Sequence, residues 1–351
     1  MRKFSVLMFL LCSGVMGYAQ EKSPLEISGY ADAYWKYDFS KQENIKTYFA
    51  NDQNSISLGM LGLGLKKSTG KATFVGELAF GPRGQYLSIP NGDDRSDDDG
   101  NSFHIQNLYA SFDFTPKLNV TAGFMSTFIG YEVISPVPNF HYSTSYLFGA
   151  GPFQNAGIKA TYAFSDKVSL MAGVFNDWNV YRDLNGVSHV GAQLTLQPID
   201  GLTTYVNFLS GSSAGGENNY SSGTLIDFVS TYQLSNKFNI AVNAANYNHK
   251  SEGGYYGVAL YPEYNITDHA AIGLRGEYFK NKDISSERIE ENIKGAELKA
   301  LTLTARIKYG GLSFIPELRL DHDDSSGFMK ADGITATSRA SQASLAFVYA
   351  F

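Results

Sequence analysis

The sequence predicts an all-β fold: a single antiparallel transmembrane β-barrel of about sixteen strands, with short turns at one end and long loops at the other. Three observations predict it. Apolar and polar residues alternate over stretches of about ten, again and again along the chain. The connections between these stretches alternate strictly between short and long. The chain also stops on an aromatic residue, Phe351, with Phe347 and Tyr349 at the alternate positions before it.

The first residues stand apart. Arg2 and Lys3 are basic, Phe4 to Gly17 is apolar, and Gly17-Tyr18-Ala19 has small residues where a signal peptidase reads. Residues 1–19 are expected to be a secretory signal peptide, leaving 20–351 as one outer-membrane barrel. Cys12, the single cysteine, lies in this signal, and Leu11 before it is too large for a lipoprotein acceptor site. The mature chain is then without disulfides. No later segment offers the roughly 18 consecutive apolar residues of an α-helical span. A closed barrel can still cross a membrane, because each strand satisfies the backbone of its neighbour.

The strands read in order as 25–39, 55–66, 71–81, 103–114, 118–130, 153–164, 168–178, 188–197, 202–211, 223–234, 238–248, 255–266, 270–280, 299–309, 312–321 and 340–351. Period-2 alternation assigns their faces. Leu301, Leu303, Ala305 and Ile307 alternate with Thr302, Thr304, Arg306 and Lys308, and Leu318 and Leu320 with Glu317, Arg319 and Asp321. Strand 55–66 is irregular: Leu61, Leu63 and Leu65 fall opposite in parity to Ile56 and Leu58. Short connections such as Thr115-Pro116-Lys117, Ser165-Asp166-Lys167 and Gly310-Gly311 are built from turn formers. The long ones are 40–54, 82–102, 131–152, 179–187, 212–222, 249–254, 281–298 and 322–339. Sixteen strands imply an aqueous channel, whereas about eight would leave an interior filled by side chains.

Parity also gives an inner wall. Asp32, Lys36, Glu77, Lys159, Asp227, Arg275, Glu277, Arg306, Lys308, Glu317, Arg319 and Asp321 are expected to line the pore, with Glu26 and Asp113 near its end. Charged rings of this kind set ion selectivity; a salt-bridged wall is the alternative. The 131–152 loop has three prolines, Pro136, Pro138 and Pro152, and Glu132 as its only formal charge. It is expected to fold inward as a constriction carrying Glu132, Pro136, Pro138, Phe140, His141, Tyr142, Tyr146 and Phe148, an external cap being the alternative.

Other chemistry finds little footing. A net charge of −6 argues against nucleic acid as a partner. The run Asp93-Asp94-Arg95-Ser96-Asp97-Asp98-Asp99 lacks the full calcium-loop pattern and reads as a solvated loop. The six histidines have no ligand spacing, and no G-x-S-x-G elbow is present, so neither metal, cofactor nor enzyme is expected.

Two passages carry a resemblance. Phe347, Tyr349 and Phe351 look like the terminal signal read by the outer-membrane barrel assembly machinery. Asn139 to Tyr162, with Ser145, Leu147, Phe148, Pro152, Phe153, Gly157 and Ile158, resembles the OmpL-like β-barrel porins (BBP2) of Bacteroidetes-type outer membranes. The resemblance implies a passive, water-filled channel for small solutes or ions. The expected partners are outer-membrane lipid and lipopolysaccharide, the assembly machinery, small solutes and a homo-oligomer. A substrate-specific channel, an enzyme active at the rim and a plugged structural or adhesive barrel are the other functions this architecture allows.

Overall fold

The computed structural model describes residues 23–351 apart from 47, 82, 84–102, 182, 184–185, 215–219, 251–252 and 285–293. The expected signal peptide and the acidic run at 93–99 lie outside the described residues.

Sixteen antiparallel strands close into one barrel. In chain order they are β1 Glu26–Asp38, β2 Ile56–Thr69, β3 Ala72–Phe80, β4 Phe103–Thr115, β5 Leu118–Ser126, β6 Gln154–Ser165, β7 Val168–Phe175, β8 His189–Leu196, β9 Leu202–Ala214, β10 Tyr220–Gln233, β11 Phe238–His249, β12 Gly253–Asn265, β13 Ala270–Asn281, β14 Glu297–Tyr309, β15 Leu312–Asp323 and, last, β18 Arg339–Ala350. Between β15 and β18 a small separate hairpin pairs β16, Phe328–Met329, with β17, Ala336–Thr337. Each barrel strand pairs with its sequence neighbours, and β18 closes onto β1, with Phe351 N–H donating to Gly29 O at 3.0 Å. Closure leaves no unpaired edge, which is the condition for crossing hydrocarbon.

The outer face is apolar at the expected parity. Leu301, Leu303, Ile307, Leu318 and Leu320 are exposed, while Thr302, Thr304, Glu317 and Arg319 on the alternate positions are buried inside. Aromatic residues collect near the turn end of the outer wall: Phe112, Phe114, Tyr162, Phe164, Tyr309, Phe347 and Tyr349 are all exposed there. Such rings sit at the membrane–water boundary.

The irregular second strand has a local cause. The β1–β2 register shifts between Ala31 and Ala33, so that Gly59 and Met60 together face Asp32. This is a β-bulge, and it reverses the side-chain parity beyond it. Ile56, Leu58, Leu61, Leu63 and Leu65 therefore all face outward. Asp32 occupies the bulge, accepting from Met60 N–H at 2.9 Å, and a Cβ on Gly59 would lie 1.8 Å from its Oδ2.

Two connections differ from expectation. β9 and β10 run on to Ala214 and from Tyr220, and β11 and β12 reach His249 and Gly253, so these loops are short. The ladder is longer there because the backbone pairing continues through polar residues such as Ser212, Ser213 and Asn248. Conversely, β5 and β7 stop at Ser126 and Phe175, earlier than the alternation implied, because their continuations turn into the lumen.

Candidate functional site

The residues from Thr127 to Phe153 enter the barrel. The segment leaves the wall at a hydrogen bond between Thr127 N–H and Phe153 O, 3.0 Å. It lies across the lumen mainly against β1 and β10–β15, with Phe128 at its start reaching Phe175 of β7 and accepting from Gln193 of β8 at 3.1 Å. It contains a short helix, α1 (Tyr146–Ala150). Ser145 caps α1 by accepting from Phe148 N–H at 3.0 Å.

Buried charges on the wall hold this loop. Arg275 donates to Glu132 Oε1 at 2.7 Å, to Ser143 O at 2.6 Å and to Thr144 O at 3.2 Å. Glu132 Oε2 accepts from both Ser145 N–H and its hydroxyl. Arg319 donates to Thr144 O at 2.7 Å and to Asp321, and lies 4.9 Å over the Tyr146 ring. Asp321 accepts from Tyr146 Oη, and Glu277 from Leu147 N–H at 2.8 Å. Arg306 donates to the carbonyls of Pro136 and Val137 at 3.1 and 3.3 Å. Glu317 accepts from Tyr142 N–H at 3.0 Å, Asp32 from Tyr142 Oη, and Asp227 from Gly130 N–H at 3.0 Å.

His141 is enclosed in the same bed. Its Nδ1 lies 2.7 Å from Thr304 Oγ1, which donates onward to Glu317 at 2.8 Å. Thr304 must therefore accept from His141, which places the imidazole proton on Nδ1. Burial, with the Arg275 guanidinium near by, holds this histidine well below its usual range. It is neutral, so its 4.0 Å approach to Glu317 is not an ion pair.

Apolar packing completes the docking. Phe140 sits against Gly273 and Phe128 against Gly191, where a Cβ would come within 2.5 and 2.7 Å of the rings. Phe148 packs on Phe49 and Phe153 at 5.7 and 4.9 Å. Pro138 and Phe140 line a cavity of about 280 Å³ at the turn end, with Glu263, Arg306 and Lys308 on its wall.

The expected wall residues thus separate into groups. Asp32, Asp227, Arg275, Glu277, Arg306, Glu317, Arg319 and Asp321 all face inward, but each meets the loop and is at most 6% exposed. The picture of these charges lining open water needs correcting: their partners are loop atoms, because a buried charge requires a bonded counter-group. Lys36 is also buried and donates to Ile45 O at 2.9 Å. Glu77 and Lys159 stay half-buried, and Lys308 is exposed. Glu77 accepts from Asn107 at 2.7 Å and Tyr30 at 3.2 Å. Glu26 and Asp113 lie at the exposed turn end, Glu26 3.4 Å from Lys66 and Asp113 accepting from Asn119 at 2.8 Å.

Two features escaped the reading of the sequence. The loop at 39–55 also turns inward, burying Ile45, Phe49 and Ala50. Arg83 is buried too: it donates to Ile134 O at 2.9 Å and stacks 4.5 Å over Phe49 and 5.0 Å over Tyr142. Apolar Ile45 and Phe49 inside an otherwise polar loop were the available signal for the first.

The remaining half of the lumen is different. Several inward residues of β3–β8, including Glu77, Asn107, Tyr109, Ser111, Asn119, Lys159, Thr161, Gln193 and Thr195, are only partly buried, while Ala79, Thr121, Met125, Asn155, Met171, Phe175 and His189 on the same strands are buried. The wall there is polar and nearly uncharged. Among the described residues no cluster of His, Cys, Asp or Glu could hold a metal ion.

A sixteen-stranded barrel with lipid-facing aromatics, short turns at one end and a long loop folded into its lumen defines a porin of the outer membrane. The chain matches the family described as "Putative beta-barrel porin-2, OmpL-like" over residues 24–351, and it belongs to that family. Its fold is similar to an anion-selective porin from Comamonas acidovorans, with 13% identity, TM-score 0.63, and 94% of this chain and 100% of that one covered. It is also similar to OmpT of Vibrio cholerae in a trimer form, with 11% identity, TM-score 0.59 and coverage of 93% and 99%. OmpF of Salmonella typhi, in complex with daunomycin, matches at 12% identity, TM-score 0.58 and coverage of 93% and 97%. No curated protein matches the sequence.

Proposed function

We propose that this porin passes small hydrated solutes and ions by diffusion along one side of its lumen, between the β3–β8 wall and the inward loop. The observation that carries the reading is the asymmetry of burial. Most inner charges on β10–β15 are sealed beneath the loop, Glu263 and Lys308 nearer the turn end excepted, whereas a run of inner polar residues on β3–β8 keeps part of its surface open. The loop acts as the constriction, with Glu132, Pro136, Pro138, Phe140, His141, Tyr142, Tyr146 and Phe148 shaping or anchoring it. Arg275, Arg306 and Arg319 serve as its clamp and not as an ion filter. Glu77 and Lys159 on the β3–β8 wall, with Glu263 and Lys308 nearer the turn end, are charges left open to the lumen, and their signs balance, so ion preference is weak. The family and the fold support a channel, and its mechanism is read as diffusion without bond-making chemistry. Phe347, Tyr349 and Phe351 serve as the assembly signal, and the trimer form of OmpT supports self-association of this chain.

Single-channel recording in planar bilayers with a series of neutral solutes tests the proposal. Stable ohmic conductance and a size cut-off are expected. A folded protein that gives no conductance would leave the plugged structural barrel as the better reading.

A further inference from the structure

The outer wall carries a feature that diffusion does not use. Near the extracellular rim, Arg339 on β18, His322 on β15 and Lys299 on β14 stand in direct cross-strand register. Their parity turns them away from the lumen, as it does Leu301 and Leu320 in the next row down, which are 49% and 58% exposed. Ser341 completes that lower row and is short, so a groove of about 560 Å³ opens on the lipid-facing surface. Tyr37 and Phe39, in edge-to-face contact at 5.9 Å, stand on the neighbouring β1 side.

The charges in the row are unevenly matched. Asp324 takes His322 at 2.9 Å and Lys299 at 3.5 Å, and Glu297 takes Lys299 at 3.1 Å. Among the described residues no carboxylate lies within ion-pair distance of Arg339, which is exposed at the mouth of the groove. A guanidinium at the edge of hydrocarbon is costly without an anion, and a phosphate suits its forked donors. An apolar groove directly beneath it suits a hydrocarbon chain attached to that phosphate.

We propose that this groove binds a phosphorylated lipid of the outer leaflet, its phosphate on Arg339 and Lys299 and an acyl chain along Leu301 and Leu320. The site is independent of the solute route inside the barrel. It gives one fixed address to a lipid that composition alone would place anywhere around the wall.

Native mass spectrometry of the full-length barrel in detergent tests this, with phosphorylated lipid A as the probe. Dephosphorylated lipid A and sodium phosphate are the comparison ligands. Arg339→Gln and Lys299→Gln are expected to weaken retention about fivefold each, the scale for one basic residue at a membrane surface. Lys71→Gln, the same charge change at a turn of the opposite rim, is expected to leave it unchanged. Heat-modifiable migration on gels shows that each variant is folded. The proposal is overturned if the folded double variant retains lipid A like the parent, or if Lys71→Gln weakens it equally. It is also overturned if dephosphorylated lipid binds as well, or if free phosphate alone reproduces the binding.

Discussion

Glu132 and Arg275 meet inside the barrel, and both are almost fully buried. Parity on β13 placed Arg275 inside, because a period of two leaves a strand residue no third direction. Its partner was not legible: Glu132 lies 143 residues away, and no local pattern encodes that contact. Removing one member of a buried pair leaves an uncompensated charge, at a cost of about 3–5 kcal/mol. Glu132→Ala is therefore expected to lower unfolding stability by roughly that amount, read from urea titration of the folded barrel, and to make the open-channel current noisy. Glu132→Gln should be milder, since an amide oxygen can still accept from Arg275. His141 adds a pH dependence. Its docked form resists protonation, whereas in a released loop it titrates near the ordinary value of about 6.5. Docking thus has its full support above that value and loses it as pH falls below. Current noise should rise between about pH 7 and pH 5, and His141→Gln should flatten that rise; an unchanged pH profile in the variant would remove His141 from the account.

At the level of elements, the strands were legible almost throughout, since the membrane demands apolar residues at every second outward position. The exceptions have local causes. In β2 the bulge at Gly59-Met60 resets parity, a device that alternation alone displays only as a fault. The inward 127–153 loop was legible in outline from its prolines, aromatics and single charge. Its bed was not, because that bed is assembled from strands far apart along the chain. Two changes test the docking. Deleting residues 137–148 is expected to raise single-channel conductance and the solute size cut-off together. Gly273→Leu is expected to push Phe140 off the wall, where even a Cβ would come within 2.5 Å of the ring. That variant should show larger conductance with the barrel still closed, as judged by heat-modifiable migration. Parental conductance from both variants would mean that the loop does not bound the route.

For the whole molecule, membrane crossing and closure were visible before any coordinates, in the alternation of the strands and of their connections and in Phe351. The division of the lumen was not. Sixteen strands imply space, but they do not say how much of it two inward loops occupy or on which side. Here the charged side is the occupied side, since buried charges can be tolerated only where loop groups pair with them. The proposed route therefore falls on the polar, nearly uncharged β3–β8 side. The distinction can be read with cysteine reactivity, because the only native cysteine is Cys12 in the expected leader. Thr161→Cys on β6 and Thr302→Cys on β14 both point inward, the first half-buried and the second fully buried. In single-channel recordings a charged methanethiosulfonate reagent is predicted to step the current down through Thr161→Cys and to leave Thr302→Cys unchanged. Block through Thr302→Cys, with Thr161→Cys inert, would contradict the account.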